Sequence, residues 1–301
     1  MNLKKIITPT LLNLKYDSNS SPAIRKDFMT LRLFSFILTA SFILTGCSTI
    51  STRFEIAEKL TRGVGLKKAV VKTDSFLIVS YFRIIDETKP VRIYIEGDGY
   101  AWATRNRPSR NPTPINPLGL KLAAVDPYPN VVYLSRPCQY EGRDLSPECN
   151  EFYWTDGRFA EEVIKSMSQA VDFFIEEYRA EEIELVGYSG GAAVATLLAA
   201  RHEDVIMLRT VAGNLDHERV NAYHRVSPLK TSLNPINVAT EIRSLPQIHF
   251  VGERDNIVPP FIAESFLEKT GSSPCVKIIS VPKASHDKGW VENWISLLNE
   301  N

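Results

Sequence analysis

The chain has 301 residues, 44% of them hydrophobic and 23% charged, with 35 basic and 35 acidic side chains. That is the composition of a globular α/β domain rather than of a disordered, collagenous or repeat protein. The net charge is zero and no basic run carries interleaved aromatics, which argues against nucleic-acid binding.

The charge is unevenly spread. Residues 1–46 hold six Lys or Arg and two Asp, so the remainder is acidic. Residues 33–44, LFSFILTASFIL, follow Arg32. Twelve apolar or small residues are too few to span a bilayer core, which takes ~20, and suit the h-region of a signal peptide. Leu44-Thr45-Gly46-Cys47 then resembles the lipobox of bacterial lipoproteins, in which the cysteine is acylated and becomes the mature N-terminus. The resemblance implies a signal peptide over 29–46 and an anchor at Cys47, and the mixed, charged composition of 47–65 reads as a tether to a domain over 66–301. Several acyl chains anchor stably where one does not. Ser48 after the cysteine implies the outer membrane, facing the periplasm. Residues 1–28, polar and holding Pro9 and Pro22, are a doubtful extension, with translation expected to start at Met29.

Beyond about residue 66, strand and helix signals alternate. Ser75–Ile85 and Val91–Glu96 read as strands joined by a tight turn, hence as an antiparallel pair at one end of the sheet. Tyr100–Asn130 is proline-rich loop with a short helix near Leu118–Val125. Val131–Ser135 is a strand. Ala160–Arg179 repeats apolar residues at helical spacing and should cover a sheet. Strands follow at Glu182–Gly187, Val205–Gly213, Gln247–Gly252 and Val276–Val281. Helices are expected at Gly190–His202, Pro259–Lys269 and Lys288–Leu298. This order predicts right-handed crossovers and a mostly parallel sheet with helices on both faces.

Export makes the cysteines readable. Cys138 and Cys149 lie eleven apart in a polar loop, and a disulfide there would stabilise by roughly 3 kcal/mol or less. A metal site is the alternative, but neither a CxxC pair nor a nearby histidine supports it, so no metal or other cofactor is expected. Cys275 is left as a buried thiol.

In an open α/β sheet, functional groups gather beyond the carboxyl ends of the strands. Gly187-Tyr188-Ser189-Gly190-Gly191 matches G-x-S-x-G and falls between a strand and a helix. Small neighbours let the helix approach the strand, and the helix N-terminus aims free N–H groups at a developing oxyanion. The bland alternative is a glycine-rich turn in which a serine happens to sit.

A serine needs a base. Of five histidines, His286 sits between the last strand and the last helix, at the carboxyl edge. His202 ends the helix after the serine, His249 lies inside a strand, and His217 and His224 remain open. The base needs a carboxylate. Asp255 follows a strand, although a helix-capping role would also suit it. Asp216 is the rival, while Asp287 adjoins the histidine too closely to turn back on it. Glu253 shares the turn of Asp255. For the second oxyanion donor, the N–H of Asp98 in Glu96-Gly97-Asp98-Gly99-Tyr100 would pair with that of Gly190. Gly99 is the alternative donor.

The order Ser189, Asp255, His286 resembles that of α/β-hydrolases, and residues 75–298 are similar to that fold. Glu96 stands where the family's His-Gly-x loop has histidine. The stretches "LSRPCQY…C…YWTDGRFA" and "AGNLDH…SPL…SLNP" further resemble α/β-hydrolase-like bacterial lipoproteins. The resemblance implies a membrane-anchored serine hydrolase, with carboxylic esters the favoured substrates. A scaffold on an inactive hydrolase fold, or an acyltransferase or amidase using the same residues, are the alternatives. Tyr100, Trp102 and Trp154 are candidate pocket residues or structural aromatics.

Overall fold

A computed structural model describes residues 48–140 and 148–300. The signal segment, Cys47 and the doubtful 1–28 lie outside the described residues. The chain divides into Met1–Ser51 and Thr52–Asn301, and the sheet lies wholly in the second unit.

Eight strands form one sheet in the order β1-β2-β6-β3-β7-β8-β9-β10. They are β1 (Lys67–Lys72), β2 (Leu77–Arg83), β3 (Val91–Ile95), β6 (Val131–Leu134), β7 (Ile183–Tyr188), β8 (Val205–Val211), β9 (Gln247–Gly252) and β10 (Val276–Val281). A separate hairpin pairs β4 (Trp102–Thr104) with β5 (Arg107–Pro108). From β6 to β10 every pairing in the sheet is parallel, the arrangement the alternating elements predict.

Such strands are covered on both faces, so they read as continuous apolar runs. Val91–Ile95, Val131–Leu134 and Gln247–Gly252 are buried at every residue. Alternate side chains feed two cores. On one face Ile93, Val132 and Leu185 meet the helix α3 (Glu161–Tyr178) through Val163, Met167 and Phe174, together with Ala193 of α4 (Gly190–Ala199) and Phe266 of α6 (Phe261–Lys269). On the other, Tyr94, Tyr133 and Phe250 meet Leu122 of α2 (Leu118–Val125), Trp290, and Trp294 of α7 (Trp294–Leu297).

The sheet differs from the sequence expectation at one end. Leu77–Arg83 does not pair with Val91–Ile95, because β6 lies between them, antiparallel to β2 and parallel to β3. The turn joining β2 to β3 straddles the start of β6. There the Asn130 side chain accepts from Ile85 and Asp86 N–H at 3.0 and 3.1 Å and donates to the Lys89 carbonyl. The antiparallel edge is instead β1 with β2. In β1 only Val71 is buried, and its lysines face outward, as suits an exposed edge.

Residues 47–65 were expected to be a tether, yet Ser48–Arg62 forms the helix α1. Ala57 and Thr61 are buried against the domain, and Arg53 Nη1 donates to the Thr113 carbonyl at 2.8 Å. Its apolar face is discontinuous among charges, which hid it. A further helix, α5 (His217–His224), buries only His217 and Val220 and so left no periodic signal. The closing segment is shorter than Lys288–Leu298. Gly289 at φ 88° turns the chain before a 3₁₀ turn over Val291–Asn293 and the single turn of α7.

If α1 is part of the fold, an Ala57→Asp substitution should destabilise the protein by at least about 2 kcal/mol, because it buries an unpaired charge. Denaturant unfolding checks this. An unchanged midpoint would return the segment to the role of a tether.

Candidate active site

The carboxyl edge of the sheet gathers the predicted residues. Ser189 follows β7 directly, Asp255 lies three residues beyond β9, and His286 lies on the loop after β10. The Ser189 backbone adopts φ 53° and ψ −118°, a conformation that non-glycine residues rarely take. Three backbone bonds fix it. Its N–H donates to the Val211 carbonyl at 2.9 Å, and its carbonyl accepts from Ala192 and Asn214 N–H at 3.0 Å each. At Gly187 an added Cβ would lie 2.4 Å from the Ala192 Cα, inside the helix backbone. The turn is therefore as tight as it is because residue 187 has no side chain.

The three side chains form a hydrogen-bonded line. His286 Nε2 lies 2.9 Å from Ser189 Oγ, and His286 Nδ1 lies 2.9 Å from Asp255 Oδ2. The Asp255 carboxylate is fully buried, while the His286 ring is 16% exposed. The helix-capping reading of Asp255 does not hold, because the helix that follows starts at Phe261 with Pro260 as its N-cap. Oδ1 accepts from the Ile257 and Val258 N–H groups at 2.8 and 2.9 Å, which leaves Oδ2 for the imidazole.

The rivals are engaged elsewhere. Asp216 Oδ1 caps α5 through Arg219 N–H and accepts from Asn234 Nδ2 at 2.9 Å. His217 is buried and stacks on Phe159. His224 Nε2 meets the Ile257 carbonyl, and His202 Nε2 meets Ser168 Oγ. His249 is the core histidine expected, bonded to Thr210 Oγ1, and burial lowers its pKa to about 3.

The loop after β3 lies beside the serine turn. A Cβ at Gly190 would stand 2.0 Å from Asp98 Oδ1, so the Asp98 carboxylate rests on the bare Cα of Gly190. No hydrogen bond within the described residues occupies the Asp98 or Gly190 N–H. Glu96, in the place of the family's histidine, is buried. It accepts from the N–H groups of Gly97, Gly119 and Leu120 and from the Tyr133 hydroxyl, at 3.0 to 3.2 Å. Burial raises its pKa against the pull of those donors. It thus ties the loop to the start of α2.

Two arginines grip Asp98. Arg158 Nη1 reaches Oδ2 at 2.7 Å and Arg136 Nη1 reaches Oδ1 at 3.3 Å. Burial would raise the Asp98 pKa, but the two guanidiniums hold it below the usual carboxylate range. Gln139 Nε2 also donates to the Gly97 carbonyl at 3.0 Å. Cys138 and Cys149 form a disulfide, which joins the segment of Arg136 and Gln139 to the one leading to Arg158. The unassigned stretches thus have a position. "RPCQY" and "YWTDGRF" brace the Asp98 loop, and "AGNLDH" braces Ser189 through the Asn214 N–H. Nothing in the sequence distinguished these arginines from surface charges.

A cavity of about 230 Å³ opens over Ser189 and His286, walled by Asp98, Tyr100, Ile115 and Tyr188. Of the three aromatic candidates only Tyr100 lines it. Trp154 is buried with its Nε1 on the Ser109 carbonyl, and Trp102 lies on the β4–β5 hairpin. Gly99, the alternative donor, lines the same cavity.

The profile of the serine hydrolase (FSH1) family matches residues 119–284, more than half of the chain. The chain belongs to this serine hydrolase family. The matched span includes Ser189 and Asp255 and ends two residues before His286. Solved α/β structures show the same fold. The Pyrococcus furiosus esterase Pf2001 matches with a TM-score of 0.56 at 17% identity, covering 80% of this chain and 92% of that one. A putative α/β hydrolase of unknown function from Agrobacterium tumefaciens matches with a TM-score of 0.53 at 13% identity, over 77% and 93% of the two chains. An α/β serine hydrolase homologue from Coxiella burnetii matches with a TM-score of 0.50 at 16% identity, over 77% and 93%. At these identities the likeness is one of fold. A comparison with curated proteins finds no match.

Replacing Arg158 by Gln leaves the half-buried Asp98 carboxylate with one cationic partner. The expected cost is about 1.5–2 kcal/mol, the range for a lost hydrogen bond between charged groups. Arg158→Lys should recover part of it. Urea unfolding of the two variants measures the difference, and equal stability of Arg158→Gln and the wild type would refute the clamp.

Proposed function

We propose that this serine hydrolase cleaves carboxylic esters through an acyl-enzyme on Ser189. The observation that carries the proposal is the unbroken line Ser189–His286–Asp255, which opens into a cavity at the sheet edge. Likeness in fold to a protein named an esterase adds support.

In this reading His286 Nε2 takes the Ser189 Oγ proton as the oxygen attacks the ester carbonyl carbon. Asp255 fixes the tautomer that leaves Nε2 free and stabilises the imidazolium once it forms. Charge moves onto the carbonyl oxygen, where the Gly190 and Asp98 N–H groups receive it. The imidazolium then gives its proton to the departing alkoxide oxygen, and the carbon–oxygen bond breaks. Water, deprotonated by the same nitrogen, attacks the acyl-enzyme, and collapse returns the proton to Ser189. The Asp98 carboxylate is acceptor-only and would oppose a nearby oxyanion. Arg136 and Arg158 offset its charge and hold the loop so that its backbone, rather than its carboxylate, serves the site.

A fluorophosphonate probe should label the wild type and leave Ser189→Ala unlabelled. Turnover of p-nitrophenyl acetate should fall by about a thousandfold or more in Ser189→Ala and in His286→Ala. Equal labelling of wild type and Ser189→Ala would overturn the proposal.

We also propose that the enzyme is held at a membrane through acylated Cys47, facing the periplasm from the outer membrane. The support is the Leu44–Cys47 motif behind an apolar run. Cys47→Ser should move the protein from the membrane fraction to the soluble fraction. Retention in the membrane fraction would contradict the anchor.

A further inference from the structure

Cys138 and Tyr140 have positive φ, 70° and 56°, on either side of Gln139. At Arg179 and Arg225 the left-handed backbone ends a helix, where it is common. Cys138 and Tyr140 end none. Arg136 to Gln139 is instead a tight turn, closed by the Gln139 N–H on the Arg136 carbonyl at 3.1 Å. Pro137 at its second position and a positive φ at its third give it a type II form, which favours glycine where Cys138 stands. Such residues persist only where their surroundings over-determine them, and they gather at functional sites. Here the bond to Cys149 holds Cys138, and the Thr113 hydroxyl, which accepts from Tyr140 N–H at 2.8 Å, holds Tyr140. The residue that the two present is Gln139.

The Gln139 side chain is buried, 1% exposed, and both ends of its amide are engaged. Oε1 accepts from Arg136 N–H at 3.1 Å, and Nε2 donates to the Gly97 carbonyl at 3.0 Å. The amide cannot be reversed, since a backbone N–H only donates and a carbonyl only accepts. Gly97 is held on its other side too, where its N–H donates to Glu96 Oε1 at 3.0 Å. A Cβ at Gly99 would lie 2.8 Å from Gln139 Nε2, so that residue leaves room for the amide.

The peptide unit joining Gly97 to Asp98 is planar and trans, so its carbonyl and its N–H point in opposite directions. Fixing the Gly97 carbonyl on Gln139 therefore turns the Asp98 N–H away from Gln139. Asp98 walls the catalytic cavity, and its N–H has no partner among the described residues. We propose that Gln139 is a positioning residue for the oxyanion site. By holding the Gly97 carbonyl, it aims the Asp98 N–H at the substrate oxygen that gains charge. The proposal rests on the acyl-enzyme reading above. It adds which loop amide is aimed, because Gln139 holds the peptide before Asp98 and not the one before Gly99.

Two variants test it. Gln139→Glu keeps the acceptor for Arg136 N–H and removes the donor, and Gln139→Met removes both at similar length. End-point labelling with a fluorophosphonate counts assembled sites, so a loss of folded protein is corrected for. Per labelled site, kcat and kcat/KM for p-nitrophenyl acetate should fall together by about tenfold to a hundredfold, at or below the cost of removing an oxyanion donor. Ki for a trifluoromethyl ketone, whose serine adduct carries the same oxyanion, should rise by a similar factor. A residue that only braced the loop would lower the unfolding midpoint and leave kcat per labelled site at the wild-type value, and that result overturns the proposal. The wild type gives a second measurement that needs no variant. A crystal structure of its trifluoromethyl ketone adduct should place the oxyanion within hydrogen-bond distance of the Asp98 N–H, with Gln139 Nε2 on the Gly97 carbonyl. An oxyanion bonded to the Gly99 N–H instead overturns the proposal and leaves the acyl-enzyme reading standing. Failure of the wild type to label or to form the adduct on Ser189 overturns the acyl-enzyme reading itself.

Discussion

The Ser189 backbone, held at a positive φ between β7 and α4, is the constraint on which the site depends. Such a conformation costs about 1–3 kcal/mol and persists only when its surroundings over-determine it. Here the surroundings are three backbone bonds, to Val211, Ala192 and Asn214, and a strand whose Gly187 lets α4 come within contact of its backbone. The strain has a geometric result. It brings the hydroxyl to His286 and leaves the Gly190 N–H, the first of α4, free. A relaxed turn would direct the side chain along the strand or into the core.

Around that turn three carboxylates are placed, two buried and one half-buried, each by a different means. Asp255 divides its oxygens between two backbone N–H groups of its own turn and one imidazole, which fixes its orientation. Glu96 is neutralised by nothing but hydrogen-bond donors, and burial pushes its pKa up. Asp98 takes two guanidiniums and keeps its charge. In the proposed mechanism, an unpaired carboxylate this close to the oxyanion would be a hindrance. Its pairing with Arg136 and Arg158, stapled near by the Cys138–Cys149 disulfide, turns the same residue into a fixed point for the loop.

Much of this was legible in the sequence, because the relevant signals are local. Apolar runs bounded by turns gave β6, β9 and β10, and the 3.6-residue period of Val163, Met167 and Phe174 gave α3. Ser189 and His286 were legible because each follows its own strand, and a mostly parallel sheet brings strand ends to one edge. Asp255 could be placed but not separated from a helix-capping residue, since an aspartate just past a strand and ahead of a proline-started helix reads either way. What escaped depends on contacts distant in sequence. The insertion of β6 between β2 and β3 is fixed by Asn130, a single polar side chain. Arg136 and Arg158 act from 38 and 60 residues away on Asp98. Helix α1 buries too few side chains to announce itself in a charged stretch.

The proposed mechanism requires a covalent bond between the substrate acyl group and Ser189. Rapid acid quench during turnover of an activated ester, followed by intact-mass and peptide analysis, observes that bond directly. The predicted result is a single acyl adduct on the peptide containing Ser189, absent from Ser189→Ala. Turnover with no adduct at any quench time, or an adduct on another side chain, would contradict it.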